Sequence, residues 1–238
     1  MTEEKKHRIK KAAKAAFPVT IPVLFGYLSI GLAFGLLLSS IGYHFIWAFF
    51  MSLLIYSGSM QYFAVQLMSV GAGFFNVALM TLFINNRYAL YGLSFIEKFK
   101  KMGKLRWYMI YSLTDETYAL LCSQKPPKDV DENLYAFFIS IMDHSYWIIG
   151  SVLGALIGSL IHFNTTGVDF AMTALFTVIC VEQWESTKYH SPAMVGTICS
   201  ILALIIFKST NMMIPAIIGI IVTLLCMRKK LEGEEALS

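Results

Sequence analysis

The chain has 238 residues, 57% of them hydrophobic and only 14% charged, with a formal net charge of +4; soluble domains run nearer about 45–50% apolar and about 25% charged. No Asp, Glu, Lys or Arg occurs in the 72 residues between Lys14 and Arg87, a run that cannot form the surface of a water-soluble domain. A soluble enzyme, a disordered chain and a nucleic-acid binder are excluded, and an all-α integral membrane protein, a polytopic helical bundle, is predicted.

In chain order, residues 1–16 read as a basic cytoplasmic tail with Lys5, Lys6, Arg8, Lys10, Lys11 and Lys14. A first span covers 17–40, is retained rather than cleaved, and carries Gly31 and Gly35 as a GxxxG pair that admits a close helix neighbour. The second span, 45–69, has Tyr56-Ser57-Gly58-Ser59-Met60-Gln61 near its middle, where small polar residues predict a broken helix. The third span, 74–96, contains Asn85, Asn86 and Arg87 and leads into a basic loop, 97–106.

Residues 107–122 are apolar but short and hold Asp115 and Glu116. After a polar loop, 123–133, an over-long helix at 134–161 carries Gly150, Gly154 and Gly158. Spans at about 168–184, 193–207 and 211–227 and a polar tail, 228–238, complete a membrane domain of residues 17–227. Seven or eight crossings result, and neither number places all three basic clusters (1–16, 97–106, 228–230) on one face. Gly31 and Gly35 precede Gly154 and Gly158 by 123 residues, which suggests two three-helix repeats: parallel if 107–122 crosses, inverted if it does not. Trp47, Trp107 and Trp184 fall at span ends as an aromatic belt; Trp147 does not. The four cysteines lack metal-ligand spacing and read as packing residues.

Ionisable groups within spans are the functional candidates, because each is costly in lipid. Arg87 serves either as a partner for an internal carboxylate or freed carbonyls, or as the receiver of a substrate carboxylate. Asp115 and Glu116 diverge by about 100° on a helix, so one can pair with a base while the other faces a cavity and carries a proton. Ser57, Gly58, Ser59 and Gln61 offer freed backbone groups to a ligand, or form a packing face with Gln61 as an interhelical hydrogen bond. Asp143 and His144 read as a proton relay or a membrane-boundary pair, with the boundary favoured. No cofactor or metal motif appears, and no Walker lysine. A solute transporter is the leading reading. A membrane-embedded serine hydrolase using Ser57 or Ser59 with His144, or a solute channel, is the alternative.

The ordered blocks Pro22-x-x-x-Gly26 with Gly31 and Gly35, Ser57 to Gln61, Asn85-Asn86-Arg87, Tyr91 to Ser94, Thr114-Asp115-Glu116, Trp147 to Gly158 and Asp169-Phe170-Ala171 resemble the AzlC family of branched-chain amino acid permeases. The resemblance implies a transporter of the bacterial inner membrane that exports leucine, isoleucine, valine or similar apolar amino acids such as methionine. It also implies a small membrane subunit of the AzlD type as partner. It places substrate binding at Ser57, Gly58, Ser59, Gln61, Asn85 and Arg87, and proton coupling at Asp115 and Glu116. Tyr88 stands where many members carry a histidine.

Overall fold

The computed structural model describes residues 3–160, 177, 180–181, 184–185, 190–211 and 213–235, and every element among them is helical. The chain divides into two compact units, Met1–Thr173 and Ala174–Ser238. The first contains α1 (Glu3–Ser40), α2 (Phe45–Leu54), α3 (Gly58–Ser69), α4 (Phe74–Lys100), α5 (Arg106–Tyr111), α6 (Asp115–Ser123) and α7 (Glu132–Leu160). The second contains α8 (Ser191–Asn211) and α9 (Met213–Glu235). In it Cys199 packs near Gly219 and lies 3.8 Å from the Thr223 hydroxyl, as a small packing residue would. Most of the expected span 168–184, including Asp169 and Glu182, lies outside the described residues.

α1 takes in the basic tail that the sequence reading left outside the first span, with Pro18 and Pro22 inside the helix. Among the described helices, α1 and α7 are long and contain a stretch apolar enough to cross a bilayer; α4 has the length, at 27 residues, but carries Arg87, Glu97, Lys98 and Lys100. α1 and α7 run parallel and in register. Arg8 meets Asp131 at one end at 2.5 Å, the Thr20 and Tyr146 hydroxyls meet at 3.1 Å, and Gly158 lies beside Ser39 towards the other end. A Cβ on Gly154 would strike the Leu32 backbone, and one on Gly31 would lie 3.0 Å from the Ser151 nitrogen. The two glycine series that suggested an internal repeat are therefore the two sides of one helix contact. At the shared N-terminal end the Leu134 N–H and the Arg8 guanidinium hold the Asp131 carboxyl below the usual carboxylate range.

α4 runs the opposite way. Its lower end packs Phe95 and Phe99 with Ala16, Leu121, Tyr135 and Ala136, and Lys98 pairs with Glu132 at 3.0 Å. The remaining short helices form two hairpins. α2 descends from the upper end until Ser52 and Tyr56 reach His144; α3 climbs back, with Gly58 against Trp147, then Tyr62 bonded to the Ile30 carbonyl at 2.6 Å and beside Phe34. α5 rises from the lower end, taking Tyr108 past Phe137 to His144. α6 then returns, from Asp115 beside Arg87, through Tyr118 on Tyr91, to Leu121 in the lower cluster.

This corrects two expectations. Residues 45–69 do not pass from one end of the unit to the other, and 107–122 is not one helix but two, broken at 112–114. The predicted break near Ser57–Gln61 lies at 55–57, just before Gly58. Long helix then hairpin, α1 with α2–α3, is followed by the same order upside down, α4 with α5–α6.

Trp147 explains its own absence from an aromatic belt. It is buried against Gly58, Tyr27 and Phe34, and its indole N–H donates to Gln61 Oε1 at 2.9 Å. The Gln61 amide in turn donates to Ser52 at 3.2 Å, which ties the two arms of the upper hairpin to α7. Gln61→Leu leaves the indole N–H and the Ser52 hydroxyl without this partner, and should cost about 1–3 kcal/mol in thermal unfolding. Gly154→Val should cost about 1–3 kcal/mol or more by overpacking a backbone contact. Gly26→Ala on α1, with no atom within 4 Å of the added Cβ, should be neutral.

Candidate functional site

The two hairpins enter from opposite ends, and their breaks meet at one level. Each break exposes backbone groups that need partners in a medium without water. On the upper hairpin, the Leu53 carbonyl accepts the Tyr111 hydroxyl and the Ser52 carbonyl accepts His144 Nε2 at 3.1 Å. A carbonyl has no proton to give, so Nε2 carries the hydrogen, and Nδ1 lies 3.0 Å from the Tyr108 hydroxyl. Tyr56, at φ +43°, turns the corner in the left-handed region that costs an ordinary side chain about 1–2 kcal/mol. It is held there by stacking on His144, with ring centroids 4.1 Å apart.

The returning arms, α3 and α6, both start at this level, so two helix N-termini point into the same region, that of α3 without a side-chain cap. Ser57 occupies the N-cap of α3 but does not cap it; its hydroxyl donates to Asn85 Oδ1 at 2.7 Å and lies 3.3 Å from the Tyr88 hydroxyl. Thr114 caps α6 in the ordinary way, accepting from the Thr117 N–H.

Arg87 joins the two termini. Its Nη2 donates to Ser59 Oγ at 2.8 Å and to Asp115 Oδ2 at 2.9 Å. The pair is part-open, with the Arg87 side chain 26% and that of Asp115 35% exposed; Arg87 Nε and Asp115 Oδ1 have no hydrogen-bond partner. Below Tyr88 a largely apolar groove of about 530 Å³ runs past Gly92, Leu93 and Ile96 to Trp107 and Ile110, with Lys100 and Arg106 also in its lining.

Of the sequence-derived candidates, Ser57, Gly58, Ser59, Asn85, Arg87 and Asp115 are brought together. Gln61 is fully buried with its amide groups engaged by Ser52 and Trp147, so it positions the hairpin rather than facing the Arg87 cluster. Glu116 turns away from Arg87, and its Oε2 accepts the Tyr27 hydroxyl at 2.7 Å. Asp143 and His144 are not a boundary pair: both are buried at the level of the breaks, Asp143 fully, with Oδ2 accepting from Thr117 at 2.9 Å. The serine–histidine contact of the hydrolase reading does not form. Both ring nitrogens of His144 are engaged elsewhere, and the two serines bond Asn85 and Arg87.

Tyr27, Tyr56 and Thr117 were missed as site residues, and Asp143 was set at the membrane boundary. Tyr27 gave no signal, being one aromatic among many in an apolar span. Asp143 did: a carboxyl in the middle of a 29-residue helix is as costly in lipid as Arg87.

Residues 22–161 match the family model described as AzlC protein. The chain is 37% identical to the branched-chain amino acid transport protein AzlC of Bacillus subtilis, over 97% of this chain and 91% of that protein. It is 41% identical to an uncharacterized membrane protein of Helicobacter pylori, over 95% of this chain and 99% of that one, and 25% identical to the inner membrane protein YgaZ of Escherichia coli, over 76% and 78%. No solved structure matches. Extended identity to proteins named for membranes and transport, on top of an all-helical apolar chain, makes this a membrane protein of the AzlC family.

Proposed function

We propose that the chain exports branched-chain or similar apolar amino acids across the bacterial inner membrane, driven by protons and together with a small AzlD-type membrane subunit. The observation that carries this reading is the half-open Arg87–Asp115 ion pair set between the first turns of two half-helices. An amino acid is a zwitterion. Entering this pair, it would give its carboxylate to Arg87 and to the uncapped N–H groups at Gly58 and Ser59, and its ammonium to Asp115. One ion pair would thus become two, with no net change in buried charge. Ser57 and Asn85 would hold the end of α3 in place, and the groove below Tyr88 suits an aliphatic side chain. The transport named for the Bacillus subtilis relative supports the substrate class.

In this reading α1, α4 and α7 cross the membrane fully and the two hairpins are re-entrant. The N-terminal tail and the basic loop 97–106 then lie on one face, as the positive-inside rule asks.

The direct test is efflux of labelled leucine, isoleucine, valine and methionine from cells preloaded with dipeptides. It is run with the chain alone, with the small subunit, and with a protonophore. Partner-dependent efflux that collapses with the proton gradient is expected; no efflux of any of the four from cells that hold both chains in the membrane contradicts the proposal. Arg87→Gln should abolish transport without loss of membrane insertion, and an active, well-expressed variant would sink the carboxylate role. Ser59→Ala should reduce transport but not abolish it, whereas a serine hydrolase would lose all activity.

A further inference from the structure

On the side of α6 turned away from Arg87, five oxygen-bearing side chains form an unbroken line. Glu116 Oε2 lies 2.7 Å from the Tyr27 hydroxyl, which lies 2.8 Å from Thr114 Oγ1. Thr114 Oγ1 lies 3.2 Å from Thr117 Oγ1, and Thr117 Oγ1 lies 2.9 Å from Asp143 Oδ2. The line crosses three elements: α1 gives Tyr27, the lower hairpin gives Thr114, Glu116 and Thr117, and α7 gives Asp143.

Proton counting makes the line informative. It has four oxygen–oxygen links, and each needs one hydrogen. Its three hydroxyls supply three. If Tyr27 donates to Glu116, Thr117 to Asp143 and Thr114 to Thr117, then no hydrogen is left between Tyr27 and Thr114, whose oxygens stand 2.8 Å apart. Any other arrangement of three hydrogens empties a different link. A fourth hydrogen on either terminal carboxyl fills all of them.

We infer that Glu116 and Asp143 share one proton along the Tyr27–Thr114–Thr117 hydroxyl line, and that this pair, rather than Asp115, carries the coupling proton. The inference rests on the transport reading for its coupling role but not for the shared proton. The transfer balances: Asp143 gives its proton to Thr117, Thr117 to Thr114, Thr114 to Tyr27 and Tyr27 to the Glu116 carboxylate. Every hydroxyl reverses its direction, and the net change is one proton moved from Asp143 to Glu116.

The surroundings leave the two acids to each other. Around Glu116 stand Tyr27 from α1, Tyr56 from the upper break, Asp115 from its own turn and Arg87 from α4, the last already paired with Asp115. Around Asp143 stand Thr117 from α6, Tyr56 from the upper break, Tyr108 from α5 and its own neighbour His144, whose nitrogens serve Ser52 and Tyr108; the Tyr56 hydroxyl closes none of the four links. No ion pair to either acid occurs among the described residues; Asp143 Oδ1 has no hydrogen-bond partner. Asp115 and Glu116 are consecutive in the first turn of α6. A substrate that draws Asp115 from Arg87 would therefore turn the same residue pair that closes the line, linking substrate to proton through movement of one hairpin.

Infrared difference spectra of the purified full-length chain between neutral and alkaline pH, a window in which ordinary surface carboxyls are already ionised, detect carboxyl groups that stay protonated and need no substrate. We expect a carboxyl carbonyl band at neutral pH, lost or displaced in Glu116→Gln and equally in Asp143→Asn. It should also shift in Thr117→Val, which cuts the line while keeping both acids. A band that answers to only one of the two amides, or no protonated-carboxyl band, overturns the shared proton. In vesicles, Asp143→Asn should lose accumulation driven by a pH gradient by at least ten times the factor by which it loses leucine exchange. Equal loss of both, or loss of neither, overturns the coupling role. If the wild-type chain with its small subunit moves no amino acid while the infrared result stands, the transport reading fails and the proton pair survives it.

Discussion

A helix broken partway through a bilayer leaves about four C=O groups on one side of the break and four N–H groups on the other without partners, and the surrounding hydrocarbon supplies none. In the proposed topology this chain has two such breaks, at 55–57 and 112–114, and the first unit is organised around satisfying them. Tyr111 and His144 take carbonyls from the end of α2, Thr114 caps α6, and Arg87 binds a side chain in the first turn of each returning helix. Placing the breaks together lets each hairpin supply partners for the other. The long helices α1, α4 and α7 form the frame against which that meeting is held.

The close contact of α1 with α7 fixes the heights. Glycines on both sides remove the Cβ atoms, so the helices can approach backbone to backbone. Register then follows: Tyr27 on α1 and Asp143, His144 and Trp147 on α7 arrive at the level of the breaks. Trp147 fills the space above Gly58, while Tyr27 and Asp143 reach the lower hairpin from two sides.

Much of this was legible in the sequence, and the failures are instructive. The charge-free run between Lys14 and Arg87 established the class, and Ser57-Gly58-Ser59 located the first break because small polar residues have few other uses in a span. The glycine series was read as duplication, although identical spacing on two helices is also what a parallel, glycine-mediated contact needs. The second break went unseen because Ser112-Leu113-Thr114 contains no glycine or proline, and Thr114 followed by acids reads equally as a helix start. Asp143 was assigned to the boundary by its distance from the polar loop, but the helix frame carries it to mid-level. Counting apolar segments treats every one as a crossing, whereas the arms of 10 and 12 or of 6 and 9 residues are each shorter than a bilayer-spanning helix.

The central claim is that two hairpins enter from opposite faces and meet at Arg87. Its most direct test is the reaction of single introduced cysteines with a membrane-impermeant thiol reagent, in a variant lacking the four native cysteines. Positions 43 and 72, at the two ends of the upper hairpin, should react from one face of the membrane. Positions 101 and 128, flanking the lower hairpin, should react from the other. Labelling of 43 and 72 from opposite faces, or of 101 and 128 from opposite faces, would make that segment a crossing and contradict the account.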